Sequence, residues 1–306
     1  MLAELALYSD RLFMATVLVY VLAMVLHGAE YAIERAPAKA AVLVGAGDQV
    51  EEPAEAPAPR RADRFGGMAL SLTMLGALLH AGSIVLRGLA SQRWPLGNMY
   101  EFVSAICLAA VVAWLVVQRR SGVARPVGLF VLLPVVILLF LGGTVLYAPA
   151  APVMPALQSY WLVVHVTAIT ISSGLLLVPG MLSVLYLLRR SGRLTAVTDK
   201  LPSADALDRV AYRTTIIAFP LFTFAIMAGA IWAEAAWGRF WGWDPKGTVA
   251  FVSWVIYAAY LHARATAGWR TVRAAWINIV GFASVVFNLF FINMVVAGLH
   301  SYAGLG

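Results

Sequence analysis

The chain has little charge and almost no cysteine. Only 12% of its 306 residues are charged and 62% are hydrophobic, whereas about a quarter of the residues in soluble domains are charged. This composition excludes an ordinary soluble domain and predicts a polytopic membrane protein. The single cysteine, Cys107, has no partner for an internal disulfide, and the sequence contains no CxxC pair. The chain therefore does not reduce disulfides by itself, and Cys107 is predicted to be a small buried hydrophobic residue.

Acidic residues are also scarce: the chain has 15 of them against 22 lysines and arginines, which gives a net charge of +7. Of the basic residues, 17 lie in one alternating set of loops beside the apolar runs, and five lie in the other set. This is the positive-inside pattern of a membrane protein, so it accounts for the charge without nucleic acid as a partner. It predicts that the richer set of loops is cytoplasmic and that both termini are extracytoplasmic.

Long apolar runs are the main feature of the chain, and we count eight that can cross about 30 Å of hydrocarbon. Because the bilayer offers no water to backbone groups, each run is predicted to be helical. The fold class is therefore an all-α, polytopic membrane bundle of about eight transmembrane helices. The runs are 8–33, 66–88, 98–118, 127–147, 160–188, 211–233, 248–268 and 273–299.

Proline occurs both inside the predicted spans and in one segment between them. Pro134, Pro179 and Pro220 fall inside predicted spans and are expected to kink them. Residues 36–64 are rich in proline, alanine and glutamate, which predicts a disordered cytoplasmic linker. The chain is thus divided into residues 1–65, the first transmembrane helix plus this linker, and residues 66–306, the main transmembrane domain. The first helix is expected to be retained, because no signal-peptide cleavage pattern follows it.

Tryptophan is concentrated in one place, where Trp232, Trp237, Trp241 and Trp243 lie within twelve positions between two apolar runs. We call residues 232–247 the tryptophan-rich segment and expect it to be an extracytoplasmic loop. Aromatic belts at membrane interfaces offer an alternative explanation, but belt residues are usually scattered. The segment is also interrupted by Gly238 and Gly242, which let a backbone approach a ligand closely. It therefore predicts a platform for a large, flat, apolar molecule.

The five histidines indicate what that molecule is. Imidazole is a good axial ligand of haem iron, and ionisable groups at membrane depth usually have a function. His165 and His300 fall at the outer ends of their spans, which predicts an outer pair of ligands beside the tryptophans. His80 in mid-span and His262 in the inner half of its span predict an inner pair. The alternative is that each histidine is an isolated, hydrogen-bonded interior residue, and we favour this for His27.

At these residues the chain resembles the CcsA (ResC) family of System II cytochrome c biogenesis proteins. The resemblance is carried by the WWD motif of residues 237–246 and by supporting matches at 94–101, 157–165, 260–264 and 298–302. It implies that His165 and His300 are external haem ligands flanking the motif, and that His262 is a transmembrane ligand. The second transmembrane ligand is then either His80 or a residue of a CcsB-type subunit. The platform is implied to comprise Trp232, Trp237, Gly238, Trp241, Trp243 and Asp244.

The same resemblance implies that the chain delivers haem b across the cell membrane and attaches it to the CxxCH segment of apocytochrome c. The expected enzyme is a holocytochrome c synthase, a thioether-forming lyase that works with a CcsB/ResB-type membrane subunit and a thioredoxin-like thiol reductant. Since the thiols come from the substrate, no catalytic nucleophile is expected in this chain. Arg239 and Lys246 are candidates to pair with the haem propionates. Asp244 is expected to bond a tryptophan indole or Arg239, and Glu101 to favour a helix N-terminus.

Three other functions remain open from the sequence. A haem exporter or haem-delivery chaperone without synthase activity would use the same ligands. A bis-histidine electron-transfer cytochrome would use the histidines but not the dense tryptophans. A structural assembly subunit would use the tryptophans to anchor a protein partner.

Overall fold

The computed structural model describes residues 1–33, 60–123, 125–152, 159–266, 269 and 272–300, and no strand occurs among them. The all-α prediction is confirmed. A 3-10 turn, Arg125–Val127, precedes α4, and a π-helical turn, Asn288–Ile292, joins α9 to α10. The helices are α1 Leu2–Ile33, α2 Arg60–Ser91, α3 Met99–Ser121, α4 Gly128–Thr144, α5 Tyr160–Ser191, α6 Thr195–Thr198, α7 Ala204–Trp237, α8 Pro245–Ala265, α9 Val272–Phe287 and α10 Asn293–Val295.

Within the described ranges, seven helical segments are long and apolar enough to cross a membrane. The predicted span that is not among these seven is 248–268, which corresponds to α8; this helix has 21 residues but carries polar and aromatic side chains along much of its length. Pro134, Pro179 and Pro220 lie inside α4, α5 and α7, and each helix continues past its proline. Most of the predicted linker lies outside the described residues, but its last five positions, 60–64, are already helical and begin α2.

Two helix pairs, α1 with α2 and α5 with α7, make the most extensive contacts, and α3 packs between α5 and α4. Lipid is as apolar as a leucine side chain, so helices in a membrane associate mainly through close packing, which small residues permit. This packing brings the start of α5, the end of α7 and the start of α8 to one end of the bundle. The segment after α10 reaches the same end.

The α3–α5 contact depends on the absence of a side chain at Gly174. A Cβ there would lie 2.6 Å from the Ala109 Cβ and 2.6 Å from the Ile106 carbonyl oxygen. Gly174→Ala is therefore expected to destabilise the protein, since overpacking costs about 1–3 kcal/mol. Gly67→Ala is the matched control, because nothing lies within 4 Å of that position. Thermal unfolding in detergent measures both, and equal changes in midpoint would contradict the close packing.

Candidate functional site

The tryptophan-rich segment is only partly a loop. Helix α7 continues through Trp237, and Gly238 ends it in the left-handed conformation with φ of 70°. The loop proper is therefore residues 238–244, since α8 begins at Pro245. The expectation of a continuous loop over residues 232–247 was wrong, because the alanines between Trp232 and Trp237 are strong helix formers.

Trp232 is the centre of an aromatic cluster at the end of α7. Its side chain is 1% exposed, and its ring lies 4.7 Å from that of Trp237. The imidazole of His165 stacks parallel to Trp232 at 6.2 Å, and the imidazole of His300 lies 5.9 Å from the same ring. Trp237 also packs edge-on against His300 at 5.2 Å. The structure therefore brings together both histidines of the predicted outer pair, on one indole ring.

The other two tryptophans of the segment are exposed. Trp241 packs edge-on against Trp243 at 5.7 Å, and both line the cavity described below. Trp243 has φ of 54° and its side chain is 75% exposed. A bulky residue in this region of backbone space costs about 1–3 kcal/mol, and such strain clusters at ligand-binding sites.

His165 is positioned by α7. Its Nδ1 donates a hydrogen bond to the Ala225 carbonyl oxygen at 2.8 Å. One turn later, Gly229 leaves room for the ring, since a Cβ there would lie 2.6 Å from His165 Cε1. Because Nδ1 is engaged, Nε2 is the nitrogen through which His165 would coordinate a metal.

His300 is positioned by Asp244. The His300 Nδ1 donates to Asp244 Oδ2 at 2.6 Å, and the Leu299 backbone N–H donates to Oδ1 at 2.6 Å. The same carboxylate caps α8 by accepting from the backbone N–H groups of Lys246 and Gly247. The expectation that Asp244 bonds a tryptophan indole or Arg239 was wrong, because the chain after α10 returns to this carboxylate instead.

Asp244 is ionised across the physiological range. Burial alone raises its pKa, but the hydrogen bond and charge of His300 and the backbone N–H groups outweigh burial and lower the pKa to about 2. A carboxyl group with a lowered pKa contributes stability that is complete above the unfolded pKa of about 3.8 and is lost as the pH falls through about 2. The contact with His300 therefore does not change through titration of Asp244 at neutral pH.

Both outer histidines share a feature of metal ligands. A metal-binding histidine usually donates its other ring N–H to a carboxylate or a backbone carbonyl, which fixes the tautomer and the ring orientation. His300 has the first kind of partner, Asp244, and His165 has the second, Ala225. Neither His27 nor His80 has a hydrogen bond of either kind among the described residues.

A cavity of about 220 Å³ opens beside the two histidines and is lined mainly by apolar side chains. It extends down α8 as far as Ser253, nine residues after Asp244, which is about 13 Å along the helix axis. Such a space, apolar with a few convergent polar groups, is typical of a ligand or cofactor site. The polar or ionisable residues along it are Asn98, His165, Ser173, Asp244, Lys246, Ser253, Asn288 and His300.

The two predicted propionate contacts are placed differently. Lys246 lines the cavity, and its amine donates to Asn293 Oδ1 beside the π-helical turn. Arg239 is exposed, does not line the cavity, and packs over Gly242. Only Lys246 is therefore placed to meet a molecule inside the cavity.

The predicted inner pair is not brought together. His80 is fully buried between α1, α2 and α3, with Nε2 2.9 Å from Ser104 Oγ and Nδ1 3.5 Å from the Tyr20 hydroxyl. His262 is exposed in the last turn of α8, about 27 Å along the helix from Asp244. Neither residue lines the cavity. His27 is buried with Nδ1 3.6 Å from Glu30, consistent with the structural role we favour for it.

Sequence reasoning missed one group near the site. Glu101 is in the first turn of α3, as expected, but it is also paired with Arg87 and Arg93. The carboxylate is almost fully buried. An acidic residue next to an apolar run, with two arginines shortly before it, was the available indication, because buried charges in membrane proteins are normally paired.

Residues 96–300 match the family model described as cytochrome c assembly protein. The cytochrome c biogenesis protein CcsA of Parasynechococcus marenigrum (strain WH8102) is 33% identical over 276 residues, which cover 77% of this chain and 86% of the relative. CcsA of Synechococcus elongatus (strain ATCC 33912 / PCC 7942 / FACHB-805) is 34% identical over 284 residues, with coverages of 77% and 86%.

Among solved structures, the cytochrome c heme lyase CcmF resembles this chain with a TM-score of 0.65 at 16% identity. The match covers 98% of this chain and 50% of CcmF, so the chain spans half the length of that neighbour. At this identity the likeness shows a shared fold.

Proposed function

This chain belongs to the cytochrome c assembly protein family, and from that premise we propose that it binds haem between His165 and His300 and attaches it to apocytochrome c. Its relatives are named as cytochrome c biogenesis proteins. One observation carries the proposal. Two imidazoles pack on the same indole ring beside one apolar cavity, and each has Nδ1 engaged by the kind of partner that orients a metal ligand.

The residues of the cavity fit a haem group. The apolar lining suits the porphyrin, and Nε2 of each histidine would supply an axial ligand to the iron. Trp232 and Trp237 fix the planes of the imidazoles, while Trp241 and Trp243 provide exposed indole surface at the mouth. Lys246 is the cation placed to pair with a propionate. Haem b is the form we propose, as the substrate of attachment.

Attachment requires that the two vinyl groups of haem meet the two thiols of a CxxCH segment. Each S–H adds across a vinyl double bond, forming one C–S and one C–H bond, so no oxidant is consumed. This chain supplies no nucleophile, since Cys107 is buried in the bundle. Its contribution is to hold the reacting groups in position, which can supply much of the rate enhancement. The histidine of the incoming CxxCH segment then replaces one of the two axial imidazoles and releases the product.

Partners follow from this chemistry. A thioredoxin-like reductant keeps the substrate thiols reduced, and a CcsB/ResB-type subunit of the cell membrane completes the synthase. The cavity is proposed to open on the extracytoplasmic side, in agreement with the distribution of basic residues. His262, exposed at the opposite end of α8, is proposed to bind a second haem during transfer, with its other ligand from the partner subunit. Burial and hydrogen bonding of His80 favour an interhelical contact instead of that role.

The proposed activity is tested by reconstitution. The purified chain and its CcsB-type partner, given reduced haem and a reduced CxxCH peptide, are expected to yield a peptide carrying thioether-linked haem, detected by mass. A peptide with alanines in place of both cysteines is the control and should yield none. If haem binds with a low-spin spectrum but no adduct forms, the chain is a haem-delivery protein and the synthase proposal is wrong. If no haem binds at all, the proposal of a haem site between His165 and His300 is wrong.

A further inference from the structure

A short segment between α2 and α3 separates two spaces in the bundle. On one side lies the cavity beside the histidines, lined in part by Gly97 and Asn98. On the other lies an apolar groove of about 490 Å³ between α3, α5 and α7, lined in part by Trp94 and Pro95. Leu96 lines both. We call residues 94–98 the partition, because two of them line the groove, two line the cavity, and Leu96 between them lines both.

The groove faces the lipid. Its rim includes Val112 and Ile217, whose side chains are 46% and 66% exposed. The Trp94 indole N–H donates to the Thr167 hydroxyl at 3.0 Å, which fastens one end of the partition to α5. An apolar molecule in the cavity is therefore divided from the lipid phase at this point mainly by Leu96 and the backbone beside it.

The carboxylate of Glu101 fastens the other end of the partition. Its Oε2 accepts the Gly97 backbone N–H at 2.8 Å, and Arg93 donates to both carboxylate oxygens, at 2.7 and 3.0 Å. Arg87 donates to Oε1 at 3.0 Å. The Glu101 carboxylate thus holds the partition directly at Gly97 and also through Arg93, the residue that precedes the partition.

The ion pairs and hydrogen bonds of Glu101 are more than the start of helix α3 requires. Asn98 already caps α3 by accepting the Glu101 backbone N–H at 2.9 Å. In a standard capping box the Glu side chain returns to the N–H of the cap residue, whereas here it reaches one residue further back, to Gly97. Burying a carboxylate is unfavourable unless its partners are closely arranged, and the arranged partners here hold the wall of the cavity.

We propose that Glu101 is a positioning residue of the haem cavity, which holds the partition closed between the cavity and the lipid-facing groove. The inference rests on the proposed haem site for its consequence, namely that bound haem does not leave sideways into lipid. It rests on the hydrogen bonds and the shared lining of Leu96 for its geometry.

The geometry is tested first in the haem-free protein, by hydrogen exchange. In Glu101→Gln, the backbone amides of residues 93–98 other than Pro95 are expected to exchange about tenfold faster or more, as for a segment that opens locally, while amides of 162–170 keep their rates. Asp208→Asn is the matched control. It breaks another buried ion pair, with Arg264 at 2.8 Å, at the opposite ends of α7 and α8. Equal protection of 93–98 in Glu101→Gln and wild type, or an equal loss in both variants, would overturn the proposal.

The consequence is tested by haem loss from nanodisc-bound protein to excess apomyoglobin. Glu101→Gln is expected to keep the low-spin spectrum but to lose haem about tenfold faster, since the ligands remain and only the wall opens. Leu96→Ala leaves the ion pairs of Glu101 intact, and it is the variant to use if Glu101→Gln does not fold. Its haem is expected to be lost about tenfold faster as well. An unchanged rate in Leu96→Ala overturns the role of the partition. If the wild-type chain binds no haem, the proposed function fails, and hydrogen exchange alone decides whether Glu101 holds the segment.

Discussion

Replacing either His165 or His300 by alanine is expected to remove the low-spin, six-coordinate haem spectrum from the chain purified alone. Each variant deletes one of two axial ligands, so the remaining imidazole cannot complete the coordination of the iron. Haem content is expected to fall by more than about tenfold, because loss of even a residue that orients a ligand costs that much in affinity. Absorption spectra and haem content per chain, measured together, give the result.

The chain offers a control near each histidine in the sequence. Val164→Ala on α5 and Met294→Ala on α10 shorten side chains that do not line the cavity, and both are expected to retain haem. Added imidazole should restore the low-spin spectrum of His165→Ala or His300→Ala, since it replaces the missing ligand and leaves the fold unchanged. Haem content and spectrum equal to wild type in both histidine variants would leave the tryptophans as a protein-docking surface instead.

The outer histidine pair could be predicted from the sequence for a simple reason. His165 is near the start of one span and His300 near the end of another, so the alternation of spans alone places both at one end of the bundle. The same argument placed the tryptophans there. Counting spans does not require knowing which helices touch, and that is why the predicted placement of these residues at one end of the bundle agrees with the structure, while their role as ligands stays a prediction.

The inner pair shows where span counting stops. His80 and His262 occupy suitable depths, but depth does not say which face of a helix a residue occupies. In the structure His80 faces α1 and α3, where Tyr20 and Ser104 bind its nitrogens, and His262 faces outward from α8. These are tertiary contacts, and neither the composition of the chain nor the spacing of its apolar runs predicts them.

Two local predictions were wrong although the sequence contained indications of the correct structure. The helix through Trp232 and Trp237 follows from the alanine-rich stretch between them, and Gly238 marks its end. Asp244 followed by Pro245 is a typical start of a helix, with the carboxylate as the cap and proline in the first turn. What no pattern could give is that the chain after α10 returns to that cap and places His300 on it.

The double role of Asp244 leads to a second large effect, and asparagine separates the two roles. Asparagine caps helices about as well as aspartate, so Asp244→Asn is expected to keep α8 folded and to lose less stability than Asp244→Ala. It removes the negative charge that accepts the His300 Nδ1–H at 2.6 Å. Haem affinity is therefore expected to fall about 10–100-fold, as when the hydrogen-bond partner of a metal-bound histidine is lost. Haem titration and thermal unfolding of the same preparation measure the two effects.

Asp244→Ala removes both roles and completes the comparison. Its haem affinity should fall at least as far as that of Asp244→Asn, and loss of the cap should cost about 1 kcal/mol of stability in addition. Because the pKa of Asp244 is about 2, the wild-type affinity should show no titration of this carboxyl between neutral pH and pH 5. If Asp244→Asn binds haem as tightly as wild type while Asp244→Ala is merely less stable, Asp244 is a helix cap alone. His300 would then be oriented by its packing against Trp232 and Trp237 rather than by the charge beneath it.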